Sequence, residues 1–306
     1  MAQRDDEGRV VASMSHLAAR LRGGLLPAVP VPWSNGRLDE AALVGYVEWM
    51  ARHPVAGVAV GVHTGRGRHL APDDRRRVLS IWRSGLADRI LVAGAWDEAS
   101  AAEARDLGAD AVLAFPRRDD PAGYHQSLGR HLPVILFYLY EAAGGVAWPL
   151  DTVARLLALP EVLGIKVATL DSVMTFQDLA ARLRDQRGKV LITGEDRFLG
   201  YSLLLGAEAA LIGMGAALPD LQTELIRARL SSDWARFVRL SSVCDELARV
   251  TFRAPMEGYV RRMLWAAAAD GAIPGDACDD PWGPPLPAHE RDEVEQVVRR
   301  ARSAFD

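Results

Sequence analysis

Val162-Leu-Gly-Ile-Lys-Val-Ala168 is an apolar run interrupted by a single lysine, and Pro133-Val-Ile-Leu-Phe-Tyr138 is an earlier run of the same kind. Between them, Leu150–Ala158 carries its apolar residues at helical spacing. Strand, helix and strand in that order make a βαβ unit, whose parallel strands are apolar throughout because both faces are covered. The same alternation extends in both directions. Leu25–Val31, Val55–Val62, Ile90–Ala95, Asp110–Phe115, Lys189–Thr193 and Glu208–Gly213 read as further strands. Helical patterns occupy Asp39–Arg52, Glu98–Leu107, Pro121–Arg130, Met174–Arg187 and Arg197–Leu205. Another helix starts after Ala71-Pro72-Asp73, where an early proline and first-turn aspartates mark an N-terminus.

Eight strand–helix repeats close most readily as a barrel. An open doubly wound sheet usually carries Gly-x-Gly-x-x-Gly after its first strand, and the sequence has none there. The expected fold is α/β, a (β/α)8 TIM barrel over residues 23–219, with a leading helix over residues 1–22. Beyond the eighth strand, Leu218–Leu230, Asp233–Val250 and Pro255–Ala269 read as consecutive helices. A proline-rich connector, Pro281–Pro287, then leads to a charged final helix. Residues 220–306 form the expected C-terminal helical region.

Composition excludes several classes. The 306 residues are 49% hydrophobic and 25% charged, with a formal charge of −4 and a pI near 6.0. That balance supplies no basic field for a phosphate backbone and argues against nucleic acid as a partner. Two cysteines, Cys244 and Cys278, cannot build a disulfide framework. The polar, acidic start of the chain does not read as a signal peptide, and no apolar run approaches the roughly 18 residues of a membrane span. The expectation is a cytoplasmic protein. The histidines show no His-x-x-x-His spacing and the cysteines no Cys-x-x-Cys pair, so no metal site is expected. There is no Gly-x-Ser-x-Gly elbow and no phosphate-binding Gly-x-x-x-x-Gly-Lys.

Of the 36 basic residues only Lys166 and Lys189 are lysines. Where arginine serves as the general surface cation, a remaining lysine invites chemistry that a guanidinium cannot perform, because only the ammonium readily loses its proton. Lys189 stands at the start of a strand, where a plain surface role suffices. Lys166 lies near the C-terminal end of the sixth strand, where barrel loops build a pocket. An amine facing a dry interior is held uncharged part of the time and can form a Schiff base with a ketone. The competing reading has Lys166 reaching out to solvent or pairing with Asp171. Tyr138 ends the preceding strand and is either a proton carrier for that amine or a core aromatic.

These residues resemble the dihydrodipicolinate synthase / N-acetylneuraminate lyase family of class I, Schiff-base-forming aldolases. The resemblance runs from about Gly24 to about Leu218. It is carried by Gly24-Leu-Leu-Pro-Ala28 with Pro32-Trp33, by Gly61-Val-His-Thr-Gly65, by Pro133–Tyr138 and by Gly164-Ile-Lys166, with Gly194-Glu-Asp196 where the family has a glycine–acid pair. It implies that Lys166 forms the imine and Tyr138 relays protons. It also implies that Thr64 and the amides around Gly65 hold the carboxylate of a 2-oxo acid, and that Leu211 lines the pocket. No metal or organic cofactor is implied, and a homo-oligomer, dimer or tetramer, is. His63 stands where synthases have a threonine, and it is either an added donor or acid–base group or a packing substitute. Glu195 either touches substrate hydroxyls or caps the next helix, and Asp196 reads as a cap. Gly213-Met-Gly215 either binds an anion through its amides or permits close backbone approach. Met256-Glu-Gly-Tyr259 reads as structural, and Arg261 and Arg262 as surface or interface residues.

The sequence also departs from the synthase pattern. Arg66 replaces a glutamate, Arg117-Arg118 stand where a tyrosine pair belongs, and Ala143 occupies the position of a substrate-binding arginine. The expected function is a Schiff-base-forming lyase, aldolase or dehydratase, acting on pyruvate or a sugar-derived 2-oxo acid, and not dihydrodipicolinate synthase itself. The alternatives are a ligand-binding or regulatory barrel that has lost turnover and, more weakly, a metal-dependent aldolase.

Overall fold

The computed structural model describes residues 14–184 and 186–305; residues 1–13 of the expected leading helix lie outside them. A helix over residues 14–21 (α1) precedes strand β1, Leu25–Pro27. This strand is shorter than expected because Pro27, Pro30 and Pro32 cannot donate to a ladder. A hairpin that was not expected follows, β2 at Trp33–Ser34 and β3 at Arg37–Leu38. Its turn residues Asn35 and Gly36 both have positive φ, 52° and 75°, as a type I′ turn requires.

The chain then alternates as expected. Helix α2 is Glu40–Ala51, entered where Asp39 accepts the Ala42 N–H at 3.0 Å. Strand β4 (Gly57–Val60), helix α3 (Pro72–Gly85), strand β5 (Ile90–Ala95) and helix α4 (Glu98–Asp106) continue the series. After them come β6 (Ala111–Ala114), α5 (Pro121–Gly129), β7 (Val134–Leu139), α6 (Leu150–Leu157) and β8 (Val162–Ala168). The barrel ends with α7 (Val173–Leu183), β9 (Val190–Thr193), α8 (Leu199–Leu204) and β10 (Ala209–Ile212).

Eight parallel strands pair in the order β1-β10-β9-β8-β7-β6-β5-β4. The ring closes where Ala28 bridges Ala59 and the Val29 N–H donates to the Ala59 carbonyl at 3.1 Å. Alternate strand residues point to opposite faces and build two apolar layers. Leu26, Val92, Leu113, Ile135, Phe137 and Ile192 pack inside the barrel, together with Leu17 and Leu21 of α1. Leu136, Tyr138, Ile165 and Val167 pack outward with the helices.

Four helices form the C-terminal region: α9 (Pro219–Leu230), α10 (Trp234–Thr251), α11 (Tyr259–Ala269) after a single turn of 3-10 helix at Met256–Gly258, and α12 (His289–Phe305). Arg262 is not a surface residue. It is fully buried, pairs with Glu290 at 2.6 Å, and donates to the carbonyls of Arg253, Ala254 and Pro255. It ties α11 to α12 and to the turn before α11. Arg261 donates to the Asp280 and Pro284 carbonyls and fastens the proline-rich connector. Among the described residues no helix is long and apolar enough to cross a membrane.

Candidate active site

Lys166 faces the barrel interior. Its partners in register are Phe137 on β7 and Ile192 on β9, both interior residues, and its Nζ lies 4.4 Å from the centroid of the Phe137 ring. Only 6% of the residue is exposed. Gly194 is required beside it, since a Cβ there would stand 2.4 Å from Lys166 Cε and 3.0 Å from the Val167 carbonyl oxygen. Lys166 makes no salt bridge among the described residues, with Asp171 or any other carboxylate. Burial pushes its pKa down, and the charge of Asp196, then that of Glu195, opposes the shift.

Asp196 does not cap a helix. Its Oδ1 accepts the Met214 N–H at 2.7 Å, and α8 begins at Leu199 after Phe198, which gives it no side-chain cap. Burial raises the Asp196 pKa against the amides of Met214 and Gly213 and the charge of Lys166. The Met214 amide is therefore committed to a carboxylate of the protein. Gly215 supplies close approach, since a Cβ there would stand 3.0 Å from Pro27 Cα. Glu195 neither caps nor faces a cleft. Its Oε1 accepts from the Thr169 N–H at 2.6 Å and the Thr169 hydroxyl at 2.8 Å, and its Oε2 accepts the Leu170 N–H at 2.8 Å. Burial lifts its pKa to about 7 against those bonds. Its task is to hold the loop after β8.

Tyr138 does not meet Lys166. It is the register partner of Val167, lies in the outer apolar layer, and stands edge-on to Trp148 with ring centroids 6.4 Å apart. The interior neighbour of the lysine is Phe137. Strand alternation decides this, and a slip of one residue reverses the face. The β7–β8 register shifts after Val134, which pairs with Val162 while Ile135 pairs with Gly164, so Leu163 has no partner in the ladder.

Thr64 and Gly65 lie in the loop after β4. Thr64 is 4% exposed, and neither its N–H nor that of Gly65 finds a protein acceptor among the described residues. Position 65 admits only glycine, since a Cβ there would stand 2.9 Å from the Gly61 nitrogen and 3.0 Å from the Val29 carbonyl oxygen. Leu211 is fully buried, in register with Leu26, and packs inside the barrel.

Two residues read from the sequence as structural reach this site. The Tyr259 hydroxyl stands 3.1 Å from Thr64 Oγ1 and 3.0 Å from His63 Nδ1. Glu257 accepts from the Tyr140 hydroxyl at 3.0 Å and from Arg66 Nη1 at 3.2 Å, and lies 3.4 Å from His63 Nε2. Although burial alone would raise it, bonds from His63, Tyr140 and Arg66 hold the Glu257 pKa down to about 2. Arg66 also pairs with Asp280 at 2.7 Å, so the residue replacing the expected glutamate anchors the C-terminal region to the barrel mouth. No sequence signal marks Glu257 or Tyr259, which lie more than 190 residues from His63 and Thr64.

The Tyr140–Glu257 bond stands between two clefts. One, of about 760 Å³, is lined by Tyr138, Tyr140, Thr169, Asp171, Arg197 and Met256. The other, of about 530 Å³, is lined by His63, Arg66, Arg68, Ala143, Glu257 and Trp282.

The sequence profile described as the dihydrodipicolinate synthetase family matches residues 21–301. A 4-hydroxy-tetrahydrodipicolinate synthase of Phenylobacterium zucineum (strain HLK1) is 30% identical over 228 residues, covering 69% of this chain and 76% of the relative. Among solved structures, a catalytic lysine mutant of Ruminococcus gnavus sialic acid aldolase superposes with a TM-score of 0.82 at 18% identity, covering 94% of this chain and 99% of the other. A prophage protein of the dihydrodipicolinic acid synthase family from E. coli K12, solved with pyruvate, gives 0.80 at 18% identity, covering 91% and 98%.

Proposed function

This chain belongs to the dihydrodipicolinate synthetase family, and we propose that its Lys166 condenses with a 2-oxo acid such as pyruvate to form a Schiff base. Members of the family are lyases of the class I aldolase type. The observation that carries the reading is the orientation of Lys166, a buried amine inside the barrel near the C-terminal end of its strand with no ion-pair partner among the described residues. Desolvation keeps part of its population uncharged, and the protonated imine it forms withdraws electrons from the neighbouring carbon. That supports aldol cleavage, aldol addition or dehydration. Thr64 with the free amides of Thr64 and Gly65 would orient the substrate carboxylate, and Leu211 would shape the apolar floor. The pyruvate bound by the E. coli prophage protein supports the choice of keto acid.

Incubating the protein with pyruvate and borohydride tests this. Intact mass should show one stable adduct per chain, and a panel of 2-oxo acids should rank the substrates. Failure of every member of the panel to label the protein would overturn the proposal.

One observation favours a second reading, a barrel that binds a 2-oxo acid without turnover: the ring beside Lys166 belongs to Phe137, which carries no hydroxyl. An adduct that forms but never yields product would support it. We also propose a homo-oligomer, for which the exposed apolar residues Trp234 and Val238 on α10 offer a contact face. Light scattering of the purified chain should give a multiple of 33.3 kDa, and a monomer at all concentrations would exclude it.

A further inference from the structure

We propose that Tyr259, from the C-terminal helical region, is the phenol that serves Lys166, acting through Thr64. The proposal rests on the imine reading above. Three other aromatic residues stand near the end of β7, and none is free for this task. Phe137 has no exchangeable proton, Tyr138 lines the 760 Å³ cleft but pairs in register with Val167 on the strand face opposite to Lys166, and the Tyr140 hydroxyl is committed to Glu257. Tyr259 is 4% exposed, and its hydroxyl lies between Thr64 Oγ1 and His63 Nδ1. Its ring stacks on Phe252 with centroids 4.9 Å apart and an interplanar angle of 23°. The same ring edge comes within 3.3 Å of a Cβ placed on Gly213, and Thr64 Oγ1 within 3.4 Å of it. The next residue, Met214, holds Asp196, the carboxylate whose charge acts most strongly on Lys166. Phenol and threonine thus adjoin Gly213, and the neighbouring Met214 amide holds the aspartate that acts on the amine, so the four groups are linked at the C-terminal mouth of the barrel.

Imine formation needs such a carrier. The Nζ lone pair forms a bond to the carbonyl carbon, and the carbonyl π pair moves to oxygen, which takes a proton while nitrogen loses one. The C–O bond then breaks with a second proton, water leaves, and the nitrogen pair closes the C=N bond. Each step moves one proton onto the departing oxygen or off the nitrogen. The hydroxyls of Thr64 and Tyr259 each carry one proton and can exchange donor and acceptor roles. When Tyr259 donates to Nδ1, the imidazole proton sits on Nε2, facing Glu257. His63 and Glu257 both line the 530 Å³ cleft, so the chain of groups runs from the buried site to open space. Tyr259 is a positioning residue in this scheme, since it reaches the reacting atoms through Thr64.

The rate of pyruvate trapping at Lys166 in the full-length protein, followed against pH, tests the proposal. Tyr259→Phe keeps the ring on Phe252 and removes only the hydroxyl. It should slow trapping by about 100-fold or more, with an altered pH profile and little change in the pyruvate concentration giving half-maximal rate. Tyr138→Phe should stay within about twofold of the parent protein. Thr64→Val should lose as much as Tyr259→Phe, Thr64→Ser should recover most of the rate, and the double variant Thr64→Val/Tyr259→Phe should be no slower than either alone. A parent-like rate in Tyr259→Phe, or losses that multiply in the double variant, would overturn the assignment. Absence of any adduct in the parent protein would instead remove the imine reading beneath it.

Discussion

Replacing Lys166 by arginine is expected to abolish trapping and to lower turnover by roughly 1000-fold or more, because a guanidinium stays protonated and cannot attack a carbonyl. The two lysines of this chain provide an internal comparison. Lys189 sits at the opposite end of the barrel, one residue before β9, with its Nζ donating to the Leu159 carbonyl at 2.9 Å and the Val162 carbonyl at 2.6 Å. Burial lowers its pKa as well, so desolvation alone does not distinguish the two amines. Geometry does: Lys189 is held by backbone oxygens on the outside of strand ends, whereas Lys166 projects into the barrel beside Phe137 and Gly194. Lys189→Arg should therefore trap pyruvate at the parent rate. Borohydride labelling and steady-state kinetics of the two variants give the comparison directly, and a Lys166→Arg protein that still accumulates adduct would refute the role.

The second large effect concerns stability. Glu290→Ala should destabilise the chain by about 3–5 kcal/mol, because it leaves the fully buried Arg262 guanidinium without its counter-charge. Arg253, 3.6 Å from Glu290 and 2.8 Å from Glu293, cannot compensate, being a cation itself. Glu290→Gln keeps an acceptor in place and should cost less. Denaturant midpoints of the three proteins measure the difference, and a loss below about 1 kcal/mol for the alanine variant would place the Arg262 interaction among ordinary surface pairs. Since Arg262 also holds the turn leading to Glu257 and Tyr259, the alanine variant should lose trapping activity before it loses barrel structure.

The barrel was legible because a parallel strand buried on both faces must be apolar at nearly every position, and eight such runs separated by helical patterns leave little freedom. Short features escaped: two-residue strands such as Trp33–Ser34 carry no periodic signal. The lysine was legible from composition, since the chain uses arginine almost everywhere else. Its neighbour was not. Counting back from Lys166 along the sequence selects Tyr138, while the unpaired Leu163 and the period of two in β7 bring Phe137 to the lysine. Asp196 and Glu195 resembled helix caps because acidic residues before a helix commonly are, yet each turns to a backbone amide elsewhere in the fold. Glu257, Tyr259 and Arg262 carry no local pattern at all, because their partners are brought to them only by the packing of the C-terminal helices against the barrel.

Whether one buried amine, kept partly uncharged by the barrel around it, bonds covalently to a keto acid can be read from peptide mapping. The borohydride-reduced pyruvate adduct is digested and mapped after labelling across a range of pH. The label should fall on the peptide containing Lys166, and its rate of formation should climb with pH and level off well below the ordinary lysine range near 10.4. Label on Lys189, or a Lys166 rate still climbing through that range, would contradict it.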